Sequence, residues 1–112
     1  MNPEAQRIAI AEACGWRVVV NMTKPGFKPV IKGFSPYQTH SEMDTPAISV
    51  PEYLTDLNAM HDAEKRLNSQ QQERFLKLLF DNFGERGWWM IAHATATQRA
   101  EAFLKTLNLW KP

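Results

Sequence analysis

The chain lacks several features that would assign it to a functional class. Its one cysteine, Cys14, excludes an internal disulfide and is typical of a reducing compartment. No apolar run approaches the ~20 residues of a membrane-spanning helix, and no basic start followed by a long apolar stretch marks a signal peptide. We therefore expect a cytoplasmic protein that does not associate with membranes.

Motifs for catalysis and cofactor binding are missing too. The five glycines are isolated from one another, so the sequence has no glycine-rich phosphate loop. His40, His61 and His93 do not have the spacing of metal ligands. Cys14 has no motif of a catalytic nucleophile around it. The sequence thus predicts a non-enzymatic protein without a cofactor or a metal.

The net charge is only +1, although the charges are segregated along the chain. Residues 1–40 carry five Lys/Arg against two Glu, whereas residues 41–67 carry two Lys/Arg against six Asp/Glu. A domain that binds a polyanion usually has a larger basic excess. Nucleic acid is therefore not the expected partner.

What the sequence does contain is enough apolar periodicity for one folded domain, which we place at residues 1–112. Helices are predicted at about 3–14, 51–67, 69–83 and 95–108. The predicted caps of the first three are Asn2, the pair Ser49 and Glu52, and the pair Ser69 and Gln72. The third helix is apolar over more than half of its circumference, which predicts a position deep in the fold. Strands are predicted at about 16–20, 27–34 and 88–92, where β-branched and aromatic residues are frequent. Residues 35–50 are predicted to form a long loop.

The order of these elements, α-β-β-α-α-β-α, determines the predicted fold. Residues 18–20 form an unbroken apolar run, which is typical of a strand covered on both faces. Three strands are too few to close a barrel, and helices on both sides would cover such a sheet. We therefore predict a three-layer α/β/α sandwich around a small, mainly antiparallel three-stranded sheet.

The last helix is the clearest single element. Thr95 and Gln98 have the spacing of a capping box. An apolar stripe follows at helical spacing, formed by Ala96, Ala100, Phe103, Leu104 and Leu107. We expect this helix to pack across the sheet and to leave the face that carries Arg99 in solvent.

Three segments resemble a known family. They are RIAIAEACGW (7–16), PEYLTDLNAMHDAEKRL (51–67) and HATATQRAEAFLKTLNLW (93–110), which together cover somewhat under half of the chain. These segments are similar to the small phage and prophage proteins grouped as the phage ABA sandwich domain. The resemblance implies the same layer order and a location in the cytosol of a bacterial host. It implies no catalytic residues.

One candidate site lies on the predicted second helix, where Asn58, His61 and Glu64 recur every three residues. A histidine and a carboxylate at this spacing could serve acid–base chemistry. The favoured interpretation is structural, because a carboxylate on an apolar face must find hydrogen-bond partners.

A second candidate is a basic edge on the predicted hairpin. Arg17 lies on the first strand, and Lys24, Lys28 and Lys32 follow on the turn and the second strand, where Phe27 and Ile31 are expected to face the core. With Tyr37, these residues could bind a nucleotide-like ligand or single-stranded nucleic acid. Outward lysines also protect an ordinary edge strand from aggregation, and we favour that interpretation.

Trp88 and Trp89 point to opposite faces if they lie on a strand. Each then packs under one helical layer, which is the favoured interpretation. An exposed Trp88 would instead be a hot spot for a partner.

We expect a phage or prophage accessory protein that acts by binding a host protein, with counter-defence or host takeover as its role. The alternative is a protein that sequesters a nucleotide-like small molecule, and a homodimer through the third or the last helix is left open.

Overall fold

The computed structural model describes residues 1–36, 46–83 and 92–112, with the side chains of residues 82 and 83 left out. This part of the chain is a mixed α/β protein with four helices and one three-stranded antiparallel sheet. The helices are α1 (Pro3–Ala13), α2 (Leu57–Glu64), α3 (Ser69–Phe83) and α4 (Ala96–Thr106). The strands are β1 (Arg17–Met22), β2 (Val30–Phe34) and β3 (Ile48–Ser49).

Local hydrogen bonds define both ends of α4 as the sequence predicts. The Thr95 hydroxyl accepts from the amide of Gln98, and the Gln98 side chain accepts from the amide of Thr95. At the other end, Asn108 has a φ of 58°, the left-handed conformation that terminates a helix. The amide of Leu109 then donates to the carbonyl of Leu104 at 2.8 Å. This return brings Trp110 against the core.

The predicted start of the second helix is wrong by several residues. Residues 53–55 form a turn, and α2 begins after Asp56, whose carboxylate accepts from the amides of Asn58 and Ala59. Within α2, Met60 and Ala63 are buried whereas Leu57 is exposed. α3 starts where predicted, but its reciprocal cap is formed by Asn68 and Gln71 rather than by Ser69.

The sheet has the order β1-β2-β3 with both pairs antiparallel. A bulge lies between Val18 and Val20, where two residues of β1 oppose one of β2. β3 falls inside the predicted 35–50 loop, and the amide of Val50, just after it, donates to the carbonyl of Ile31. The strand predicted at 88–92 lies outside the described residues except for Ala92, which is helical.

The core lies between the helices and one face of the sheet. Ile31 from β2 and Val50 after β3 join the buried side chains of the helices. α3 contributes Phe75 and Leu79 to this core, but Leu76 and Phe80 are 41% and 46% exposed, so this helix does not lie deep in the fold as predicted. The layer order of a three-layer sandwich stays a prediction. In the described ranges, no helix is long and apolar enough to cross a membrane.

Candidate binding surface

The outer face of the sheet is the face opposite the core. Paired residues of neighbouring strands share a face, and Ile31 of β2 is buried, so its neighbours Val30 and Lys32 point outward. The residues on this outer face are Arg17, Val19, Val20 and Met22 of β1, Val30, Lys32 and Phe34 of β2, and Ser49 of β3. Val19 is the extra residue of the bulge between Val18, which pairs with Gly33, and Val20, which pairs with Lys32. We place Val19 on the outer face with Val20 because its side chain is exposed, whereas Val18 on the core side is partly buried.

Apolar side chains on this outer face are exposed. Val19 is 44% exposed, and the directly paired Met22 and Val30 are 49% and 41% exposed. The expectation that the first strand is covered on both faces is therefore wrong at Val19. A sheet with one face in solvent normally carries polar residues there, and a contiguous exposed apolar patch is typical of an interaction site.

Two basic residues, Arg17 and Lys32, share the outer face with the exposed apolar patch. Between Arg17 and Phe34 the chain carries four Lys/Arg and no acidic residue. The guanidinium of Arg17 lies 5.7 Å from the centre of the Phe34 ring, in cation–π contact. Lys32 lies on the central strand and pairs with Val20 and Ser49. The protection of an edge strand therefore does not account for Lys32.

The predicted lysine cluster is divided by the pleat of the sheet. Lys28 lines a small cavity on the core side together with Ile31, whereas Lys32 is on the outer face. Lys24 is exposed in the turn before Phe27, whose side chain is 74% exposed instead of facing the core. The four basic residues thus do not converge on one pocket.

The candidate ridge on α2 is a structural contact between two helices. Glu64 and Arg99 of α4 form an ion pair of 2.8 Å, with side chains that are only 16% and 11% exposed. Burial raises the pKa of Glu64 above its ordinary value, and the nearby Arg99 and His61 charges offset this only in part. His61 is exposed. The face of α4 that carries Arg99 is therefore not solvated, contrary to the prediction.

A buried arginine that was not among the predicted site residues also holds two segments together. Arg7 of α1 donates through Nε to the carbonyl of Pro51 at 3.0 Å and through Nη2 to the carbonyl of Val50. Its Nη1 lies 3.4 Å from the carboxylate of Glu52. Arg7 and Ile10 lie three residues apart on the buried side of α1. This helical spacing is the feature of the sequence that indicates a buried position for Arg7.

Cys14 is buried and lies beside the buried Tyr53. Burial raises the pKa of the Cys14 thiol, with Arg66 and a hydrogen bond from Tyr53 opposing the shift in part. Burial, reinforced by Cys14, also raises the pKa of Tyr53 well above its usual range. Cys14 thus remains a protonated thiol with little nucleophilic character. A cleft of about 360 Å³ lies beside this pair.

Two predicted site residues, Tyr37 and Trp88, lie outside the described residues. Among the residues that the structure describes, no group of three or more His, Cys, Asp or Glu side chains could hold a metal ion.

Comparisons with protein-family models, curated proteins and solved structures find no match for the chain. The resemblance to the phage ABA sandwich domain therefore stays a prediction.

Proposed function

We propose that the protein is a non-enzymatic binding protein whose outer sheet face docks on an acidic surface of a partner protein. The exposed apolar group of Val19, Met22 and Val30 carries this proposal. Such a group, with Lys32 beside it on the central strand, matches the apolar centre and charged rim of protein interfaces. The absence of acidic residues between Arg17 and Phe34 favours a partner of negative charge.

The partner that we propose is a protein of a bacterial host, met in the host cytosol. This part follows from the resemblance to small phage and prophage proteins and gives the binding a role in counter-defence or host takeover. The predicted three-layer order would place a second layer over the outer sheet face. In our proposal, the partner supplies cover for this face when the complex forms.

A photo-crosslinking experiment in bacterial lysate tests the docking surface. A photoreactive amino acid replaces Met22 on the outer sheet face or, as the matched control, the exposed Lys77 on α3. We expect a discrete crosslinked protein from position 22 and none from position 77. In the position-22 protein, Lys32→Glu should reduce the yield by about fivefold or more, because it reverses the charge beside the apolar group.

The thermal melt of Lys32→Glu serves as the folding control, since the Lys32 side chain is exposed. Equal crosslinking from both positions, or a yield that ignores Lys32→Glu, would show that the outer sheet face is not the docking surface.

The alternative, sequestration of a nucleotide-like molecule, has less support from the geometry. The cavity that Lys28 lines has a volume of about 170 Å³. Ligand pockets usually measure about 300–1,000 Å³. Native mass spectrometry of the purified protein would detect a retained ligand and would favour this alternative.

A further inference from the structure

We propose that a second site, the groove between α1 and the C-terminal tail (Leu109–Pro112), binds an amphipathic helix of a protein partner. This groove has a volume of about 890 Å³ and shares no residue with the outer sheet face. Its walls are one side of α1, the tail, and Asn21 and Thr23 at the end of β1.

Both long walls of the groove are held in place by contacts of their own. α1 is fixed from its other side by Arg7, which bonds to residues 50–52. The tail is fixed by the amide of Leu109, which donates to Leu104, and by Trp110, which packs on the core. The Nζ of Lys105 also lies 5.6 Å from the centre of the Trp110 ring. The groove is therefore a preformed feature of the fold.

The apolar lining of the groove has the dimensions of a short helix. Ile8 and Ala9 lie at its centre on α1, and Leu109 lies on the opposite wall. The lined part of α1 runs from Glu4 to Ala13, which corresponds to roughly 14 Å or between two and three helical turns. Small side chains such as Ala9 allow a second helix to approach to the usual interaxial distance of about 8–10 Å.

Charges on the two walls define the chemistry of the partner helix. Glu4 and Glu12 lie on the α1 wall, eight residues or roughly 12 Å apart. No described residue forms an ion pair with either glutamate or with Lys111 on the tail wall. The complementary helix carries an apolar face, two basic residues seven or eight positions apart on the flank next to α1, and an acidic residue on the other flank.

A synthetic peptide of this design provides the probe. It is an amphipathic helix of about four turns with leucines on one face, lysines on one flank and a glutamate on the other. We expect fluorescence titration to show saturable binding to the wild-type protein. Glu12→Lys should weaken it about fivefold, whereas Glu73→Lys on the exposed side of α3 should change it less than about twofold. Ala9→Trp, which fills the groove, should weaken it by more than about tenfold.

A scrambled peptide of the same composition, in which the leucines no longer share a face, controls for nonspecific attraction. Circular dichroism melts control for folding, and Glu12→Lys keeps the test decisive if Ala9→Trp fails to fold, since Glu12 is exposed. Equal binding of the scrambled peptide, or equal effects of Glu12→Lys and Glu73→Lys, would overturn the proposal. So would a copurified alkyl ligand in native mass spectra, or a dimer that Ala9→Trp dissociates, because each assigns the groove a different occupant.

Discussion

A single buried ion pair shows how individual residues of this chain affect its helix packing and its stability. Glu64 and Arg99 connect α2 to α4, and the second carboxylate oxygen of Glu64 is buried without a hydrogen-bond partner among the described residues. Desolvation outweighs the attraction of Arg99, since the pKa of Glu64 is raised. The pair therefore fixes how the two helices meet without adding much net stability at neutral pH.

This raised pKa predicts an unusual pH dependence of stability. Folding favours protonated Glu64, so its contribution is fully present below the ordinary glutamate pKa of ~4.3 and is lost as the pH rises through the higher folded pKa. In urea titrations between about pH 4 and 7, wild type should lose stability relative to Glu64→Gln as the pH rises. Glu73→Gln, which removes an exposed carboxylate, is the control. The opposite result would be a wild type that is more stable than Glu64→Gln at pH 7 and loses this advantage in free energy of unfolding as the pH falls toward 4. That result would contradict the raised pKa of Glu64.

At the scale of helices and strands, the sequence predicted elements whose signals are local. The caps at Asn2 and Thr95 are hydrogen bonds between residues three apart, so they can be recognised from the chain alone. The start of α2 was placed wrongly because Ser49 and Glu52 match the same capping pattern as a true start. β3 has only two residues and no periodicity of its own. Its pairing with β2 depends on tertiary contacts that no local pattern encodes.

The pairing of β1 and β2 depends on the absence of a side chain at Gly33. A Cβ atom at this position would overlap with the carbonyl oxygen of Arg17 and would lie 3.0 Å from the Cα of Val18. Gly33→Ala should therefore reduce the free energy of unfolding by about 1–3 kcal/mol in urea titrations. Gly26→Asn is the matched control, because Gly26 has a φ of 81° and open space around it. Asparagine tolerates this conformation, so we expect a change within about 0.5 kcal/mol.

At the scale of the whole molecule, distant segments are joined by charged side chains as well as by the apolar core. Arg7 connects α1 to residues 50–52, and Arg99 connects α4 to α2. The candidate binding surface depends on the same organisation, since β2 can expose Lys32 only because Ile31 is held in the core. Hydrophobic patterning predicted the buried stripe of α4 and Ile31, although it placed the exposed Phe27 in the core. It did not predict these long-range contacts, because the partner of a buried charge is not encoded by spacing along the chain.

The contacts of Arg7 connect the first helix to the segment that pairs with the sheet. Arg7→Met keeps the length of the side chain but leaves the Val50 and Pro51 carbonyls without their donor. We expect a loss of about 3 kcal/mol in urea titrations, because charged hydrogen bonds are lost and buried acceptors remain. Arg74→Met, which removes one exposed hydrogen bond of 3.3 Å, is the control and should cost less than about 1 kcal/mol.

Hydrogen exchange then tests whether this loss is local. The amide of Val50 donates to Ile31, so its protection reports directly on the segment that Arg7 holds. In Arg7→Met, protection of Val50 should fall by more than that of Leu104 in α4, which reports on the whole core. An equal fall at both amides would mean that Arg7 stabilises the protein through general packing. A larger fall at Val50 means that the helix holds β3 against β2 and so maintains the inner side of the candidate binding surface.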